Sequence, residues 1–384
     1  MTRPAADRHE RHLLELTSLP TAAGREDRVV AWVTRWARRR AKTLTLTRDA
    51  YGNLLLARRG VDSDRPLLYT AHLDHPAFVV TAAAERTRTL TAEFRGGVHD
   101  DYFIGARVGL RPLASGSRSA ASPSATPPRG TIESLQPASA DRPFKTVTVR
   151  FARPVSASPG DLLTWDLAPA RIKGHRLHAP VCDDLAAVAA MFSSYENIIK
   201  TSKNRPHADV RLLCTRAEEI GFVGAIAACR SGLIPPGSRI IALENSKASA
   251  DAPLGDGPVV RVGDRTSTFD PALTYAVGQA AQSLAADDPD FRWQRKLMTG
   301  GTCEASAYQA LGHTATCICL ALHHYHNMDA TRTRIAPESI HLRDYHHLIR
   351  LLTHLPAALG DPAATPPLTA RLDQLFAAHR GLLA

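Results

Sequence analysis

From Pro180 to the C-terminal region the chain alternates short apolar runs with longer helical ones. In order they are LAAVAAMFSSYENIIK, ADVRLLCT, EEIGFVGAIAACRSG, SRIIALEN, PALTYAVGQAAQSLA, TCICLAL and ESIHLRDYHHLIRLLTHL. The short runs have the length and apolar continuity of buried strands, and the long ones the periodicity of helices. Strands joined through helices lie parallel in one sheet, whose two faces the helices cover. The expected fold class is therefore α/β, a mostly parallel mixed sheet sandwiched by helices.

The first part fits the same layer. Leu13, Leu14 and Leu16, then Val29, Val30, Trp32, Val33 and Trp36, recur at helical spacing on either side of a turn at 20–24. LTLTRDAYGNLLLAR reads as strand, and RPLLYTAHLDHPAFVV is an apolar strand interrupted at a histidine. Between Thr81 and Arg171 the character changes to TLTAEF, ARVGLRPL, TVTVRF and DLLTWDL, with no convincing helix. The expected organisation is a small β-rich domain at 82–172 inserted into a domain made of 1–81 plus 173–384. Within the insert, ASGSRSAASPSATPPRG at 114–130 has the composition of a mobile loop, where limited proteolysis is expected to cut first.

Composition narrows the classes. With 384 residues, 44% of them hydrophobic, the chain can bury more than one core. No window reaches the roughly eighteen apolar residues of a membrane span. The charged start, MTRPAADRHERHLLELTSL, has no apolar secretory core, so the reading is cytoplasmic with no membrane partner. Cys182, Cys214, Cys229, Cys303, Cys317 and Cys319 lie in or beside apolar runs without a paired CxxC, as reduced buried thiols would. The net charge of +10 is spread from Arg3 to Arg380, and its densest stretch, RWARRRAK, reads as the solvated face of a helix. No nucleic-acid partner is expected.

Ligands of open α/β sheets bind outside the carboxyl ends of the strands. After LLYTA come His72 and Asp74; before the first helix of the second half come Asp183 and Asp184; after RLLCT come Glu218 and Glu219. Glu244 follows IIAL, and His323, His324 and His326 follow CICLAL. Acids at these positions also suit helix N-termini, which favour negative charge. Histidines and carboxylates at strand end after strand end suit a pair of divalent cations such as zinc, cobalt or manganese. In two-metal hydrolases one carboxylate bridges the ions and a shared water becomes nucleophilic near neutral pH. His72 and Asp74, two apart on extended chain, point the same way, so that Asp74 can hold the imidazole tautomer.

Here the sequence resembles the tetrahedral (TET) aminopeptidases, with glutamyl aminopeptidase and related co-catalytic zinc exopeptidases. The resemblance runs through DAYGNLLLARRG, AHLD, PGDLLTWDL, HAPVCDDLAAVAA, AEEIGFVGA, ALENSKASADAPLGDGPVV, GGTCEAS and HHYHNMD. It implies a zinc-exopeptidase-like catalytic domain with two divalent ions, bridged by Asp183. One ion would be completed by His72 and Glu244, the other by Glu219 and His326, with Glu218 as general base and Asp74 supporting catalysis. It also implies an inserted domain that builds a homo-oligomer, and short peptides as substrates.

The chain departs from the family where His75 and Pro76 replace an acid and a glycine, where GTCEA replaces a GTDA-like run, and where Glu244 replaces an aspartate. These departures leave open a deacylase or amidohydrolase acting on N-acyl or modified dipeptides. A third reading is a non-catalytic binding protein that keeps the fold.

Overall fold

A computed structural model describes residues 3–113, 127–201, 209–360 and 368–383. Most of the expected Ser/Pro loop, 114–126, lies outside these, and Arg129 and Gly130, at its end, already begin a strand, Arg129–Gln136. Eight strands form the main sheet, in the order Leu44–Arg48, Leu54–Arg58, Val210–Thr215, Leu67–His72, Arg239–Lys247, Thr314–Leu322, Val259–Gly263, Gln294–Leu297. The third to sixth run parallel, and antiparallel pairings join them to the strands on each side. His72 stands beside Thr215, so these two strands finish level, while Arg239–Lys247 and Thr314–Leu322 run on past them.

The helix Leu185–Thr201 is apolar on every side as far as Phe192, and thirteen of its seventeen residues are buried. A helix without a polar face needs cover on both sides. It lies between the sheet and the helices Arg3–Leu16 and Leu342–Gly360, with Trp32 and Trp36 meeting Phe192 edge-on at 5.3 and 4.8 Å. The shorter helices Val223–Arg230 and Glu304–Ala310 pack on each other.

Two expected helices start later than their sequence runs suggest. In ESIHLRDYHHLIRLLTHL the first four residues form the strand Glu338–His341, paired antiparallel with Arg176–Ala179, and the helix begins at Leu342. The partner strand, distant in sequence, captures the alternating segment before the helix can extend into it. In EEIGFVGAIAACRSG the helix begins only at Val223. Glu218 to Gly221 form a turn closed by the N–H groups of Gly221 and Phe222 on the Glu218 carbonyl. The acidic pair therefore stands outside the helix.

A closed barrel interrupts the α/β layer. Its strands, Ala77–Val80, Ala84–Arg95, Lys145–Ala157, Arg129–Gln136, Arg107–Arg111 and Leu162–Trp165, enclose a core of Phe78, Phe94, Phe103, Trp165, Val147 and Val149. The apolar AFVV run after Pro76 is thus its first strand, a few residues ahead of the boundary read at 82. Alternation of inward apolar and outward polar residues closes such a barrel, as in the burial along TLTAEF. The barrel leaves the sheet immediately after His72–His75, and the chain returns through Arg171–Ala179 to Asp183.

Candidate active site

The strand Leu67–His72 is buried throughout and delivers His72 to the sheet edge. Glu244 projects from within its neighbour, Arg239–Lys247. Asp183 and Asp184, joined by a cis peptide bond, precede the helix Leu185–Thr201. Glu218 and Glu219 follow Val210–Thr215, and His326 follows Thr314–Leu322.

These side chains converge. His72 Nε2 lies 3.4 Å from Asp183 Oδ1, 3.7 Å from Glu244 Oε1 and 3.9 Å from Glu218 Oε2. His326 Nε2 lies 3.5 Å from Asp183 Oδ2 and 3.3 Å from Glu219 Oε1. His72, Asp183, Asp184 and Glu244 form one group able to hold a cation, and Asp183, Glu219 and His326 another; His72 also groups with Glu218 and Glu219. In each, one ligand atom per residue falls within 4.8 Å of the rest. Asp183 Oδ1, Glu219 Oε1 and His326 Nε2 are buried without a hydrogen-bond partner. Buried polar atoms are ordinarily satisfied, so converging donors left bare fit divalent cations.

His326 Nδ1 donates to the Gly97 carbonyl at 2.5 Å, which turns Nε2 toward the cluster. His324 instead contacts the Pro337 carbonyl at 3.0 Å, and the backbone of His323 pairs with Ser339. Among the described residues, His326 is thus the histidine of HHYHN that joins the group.

Asp74 has partners beyond the His72 ring. It stands 3.5 Å from His72 Nδ1, while its two oxygens accept the N–H groups of Glu218 and Glu219 at 2.9 and 3.0 Å. One buried carboxylate thus sets the turn that carries both glutamates. Behind that turn, Glu26 accepts the N–H of Ala217 at 3.1 Å and pairs with Arg216 at 2.6 Å. Gly224 is required there, because a Cβ on it would meet the Arg216 carbonyl at 2.1 Å. Asp74→Asn would present an amide NH₂ to one of the two N–H groups. We expect turnover to fall about 10- to 100-fold, as for partners that orient ligands, with a stability loss of about 1–3 kcal/mol for the unsatisfied donor. Thermal unfolding and kinetics on the same preparation check both.

The electrostatics follow from burial. Burial, then the neighbouring Glu244, Glu219 and Asp74 charges, pushes Glu218 well up, against the pull of His72. Burial and the Asp183 charge raise Glu244 to about 7, although the contact with His72 and the charge of Arg261 act the other way. For His72 and His326 burial favours the neutral ring, but the surrounding carboxylates prevail and hold both well above the usual range. Asp183 is lowered despite its burial, because two imidazoles face it.

Sequence reasoning missed Glu338 and Arg261 in this environment and left Glu304 without a place in it. Glu338, wholly buried, accepts N–H groups from both the Asp183 and His326 loops. Arg261 is buried near Glu244 and donates to Ser246 Oγ at 3.1 Å. Glu304 of GTCEA is buried beside Thr70 Oγ1, at 3.3 Å, and Tyr308. Glu338 had no signal of its own, since ESIHL reads as the start of a helix. The GTCEA departure did single out Glu304.

A helix-covered, largely parallel sheet with histidine–carboxylate clusters at its carboxyl edge suits a metal-dependent hydrolase. Residues 52–351 match the family model of the M42 glutamyl aminopeptidases, and the chain belongs to that family. It is a metal-dependent aminopeptidase. No curated protein matches the sequence. Among solved structures, the TET1 peptidase of Pyrococcus horikoshii, described as assembling into a tetrahedron or a large octahedral shell, is 19% identical. The match covers 91% of this chain and 99% of that one, with a TM-score of 0.70. A TET aminopeptidase from the marine sediment archaeon Thaumarchaeota archaeon SCGC AB-539-E09 is 19% identical over 91% and 96%, with a TM-score of 0.72. An aminopeptidase from Desulfurococcus kamchatkensis is 21% identical over 92% and 97%, with a TM-score of 0.70. At such identities the likeness establishes the fold.

Proposed function

We propose that the chain is a two-ion aminopeptidase that removes the N-terminal residue of short peptides. The observation that carries this reading is the division of Asp183: Oδ1 faces His72 and Oδ2 faces His326. A carboxylate so divided suits a bridge. His72 and Glu244 would complete one ion, and Glu219 and His326 the other. The nitrogen and oxygen donors suit zinc, with cobalt and manganese as alternatives. When bound, such ions polarise the scissile carbonyl and make water a nucleophile near neutral pH.

Glu218 reaches the cluster without being needed as a ligand in either set. Its carboxylate can take the proton of the attacking water and pass it to the leaving amine. Asp74 holds Glu218 and Glu219 in their relative positions through the two backbone N–H groups. Glu304 is buried against Thr70 and Tyr308 rather than in either ligand set, so the GTCEA departure gives no support to the deacylase reading. The barrel is a separate domain, and by analogy with the tetrahedral assemblies of the Pyrococcus peptidase we assign it to homo-oligomer contacts.

The test is a screen of aminoacyl anilides, free dipeptides and N-acyl amino acids, each with zinc, cobalt and manganese. Turnover of substrates with a free N-terminus is expected. Release of amino acids from acylated substrates alone would overturn the aminopeptidase reading.

A pH dependence follows from the cluster. With Glu244 near 7 and both histidines raised, the metal-free site retains protons below neutrality that a cation must displace. Affinity for added zinc is therefore expected to weaken steadily from about pH 8 to about pH 6. Chelator competition at several pH values measures it; a flat profile would contradict the raised values.

A further inference from the structure

Glu338 opens the short strand Glu338–His341 and is wholly buried. Its Oε2 accepts the N–H of Cys182 at 2.6 Å and of Asp183 at 3.0 Å, and its Oε1 accepts the N–H of His326 at 2.8 Å. These donors belong to two separate loops, one carrying the shared aspartate and the other the distal histidine. On the other side of the Asp183 peptide, His75 Nδ1 donates to the Asp183 carbonyl at 2.5 Å, and its Nε2 lies 3.0 Å from Asn327 Oδ1. Asn327 Nδ2 donates to the Pro180 carbonyl at 3.0 Å and so fixes which end of the amide faces the imidazole. The two loops are therefore tied twice, once from each side.

The His326 loop needs such ties. His324, His326 and Asn327 have φ of 56°, 55° and 62°. Left-handed backbone at non-glycine residues persists only where the surroundings impose it. Glu338 grips the backbone N–H of one of these residues, and His75 the side chain of another.

We propose that Glu338, assisted by His75, is a positioning residue that couples the two ion positions: it holds Asp183 and His326 in register, so that the Asp183–Glu219–His326 ligand set exists only while both loops are tied. The inference rests on the two-ion reading above. The His72–Glu244 side shares Asp183 but depends on the ties less, because its other two ligands sit on sheet strands that hold their own geometry.

Glu338→Gln replaces one accepting oxygen by an NH₂ facing backbone N–H groups. Cobalt and zinc titrations followed by calorimetry and by cobalt absorption should show the first ion bound within about threefold of wild type. The second should bind about 10- to 100-fold more weakly, the usual effect of losing a ligand-orienting partner. His75→Ala leaves the Glu338 contacts in place and should weaken the same ion, which keeps the proposal testable if the first variant does not fold. A wild-type protein that binds a single ion defeats the two-ion reading and this inference with it. Two ions in the wild type, with both affinities unchanged in the variants, overturn the coupling alone. Equal weakening of both ions alongside a lowered melting temperature also overturns it, since that pattern marks a merely structural residue.

Discussion

Glu218→Gln is expected to keep both ions while losing on the order of 10² to 10⁴ in turnover, the usual contribution of a positioned acid or base. Glutamine preserves size and hydrogen bonding but cannot accept the water's proton. Glu219→Gln should fail differently. It removes an anionic oxygen that lies 3.3 Å from His326 Nε2, so ion content and turnover should fall together, with excess metal restoring part of the activity. Ligation is a property of the ground state, whereas proton transfer matters only along the reaction path. Metal content and turnover measured side by side on the two variants separate the roles, and reversed behaviour would exchange them. Had the pair merely opened a helix, both changes would cost only about 0.3–1 kcal/mol of stability. The helix beginning at Val223 already removes them from that position.

Asp183→Asn should be the more severe substitution, because one side chain serves both halves of the site. The amide offers a single neutral oxygen where the carboxylate presents one oxygen to each histidine. We expect metal content below one ion per chain and turnover at background, without rescue by excess metal. In the metal-free protein Asp183 is also the anion between two imidazoles whose charged forms the surrounding carboxylates favour. Its neutralisation should therefore lower the pH at which both rings lose their protons, a shift that NMR of the imidazole signals would record. Retention of two ions with near-normal turnover would show that the bridge lies elsewhere.

The strand-end residues were legible because of how this architecture works. Side-chain periodicity is local, so strand and helix runs announce themselves, and parallel strands joined by helices end at one edge. His72, Asp183, Glu219, Glu244 and His326 each follow or close such a run, and the folded chain brings them together. The GTCEA departure drew attention to Glu304, but only the fold shows it buried against Thr70 and Tyr308.

The sequence by itself therefore determined the layer, the edge at which chemistry sits and the residue types available there, since all three follow from short-range pattern. Tertiary structure alone decided how they are held. Nothing local says that Asp74 serves the backbone of Glu218 and Glu219 as well as facing the ring of His72. The family resemblance already pointed to His326 among its neighbours, but only the fold shows the Gly97 carbonyl binding its other nitrogen. The ESIHL run likewise becomes strand only because Arg176–Ala179 pairs with it, and that pairing places Glu338 between two loops. These are contacts between segments far apart along the chain. Their partners are selected by the closure of the whole sheet and barrel, which no short window of sequence encodes.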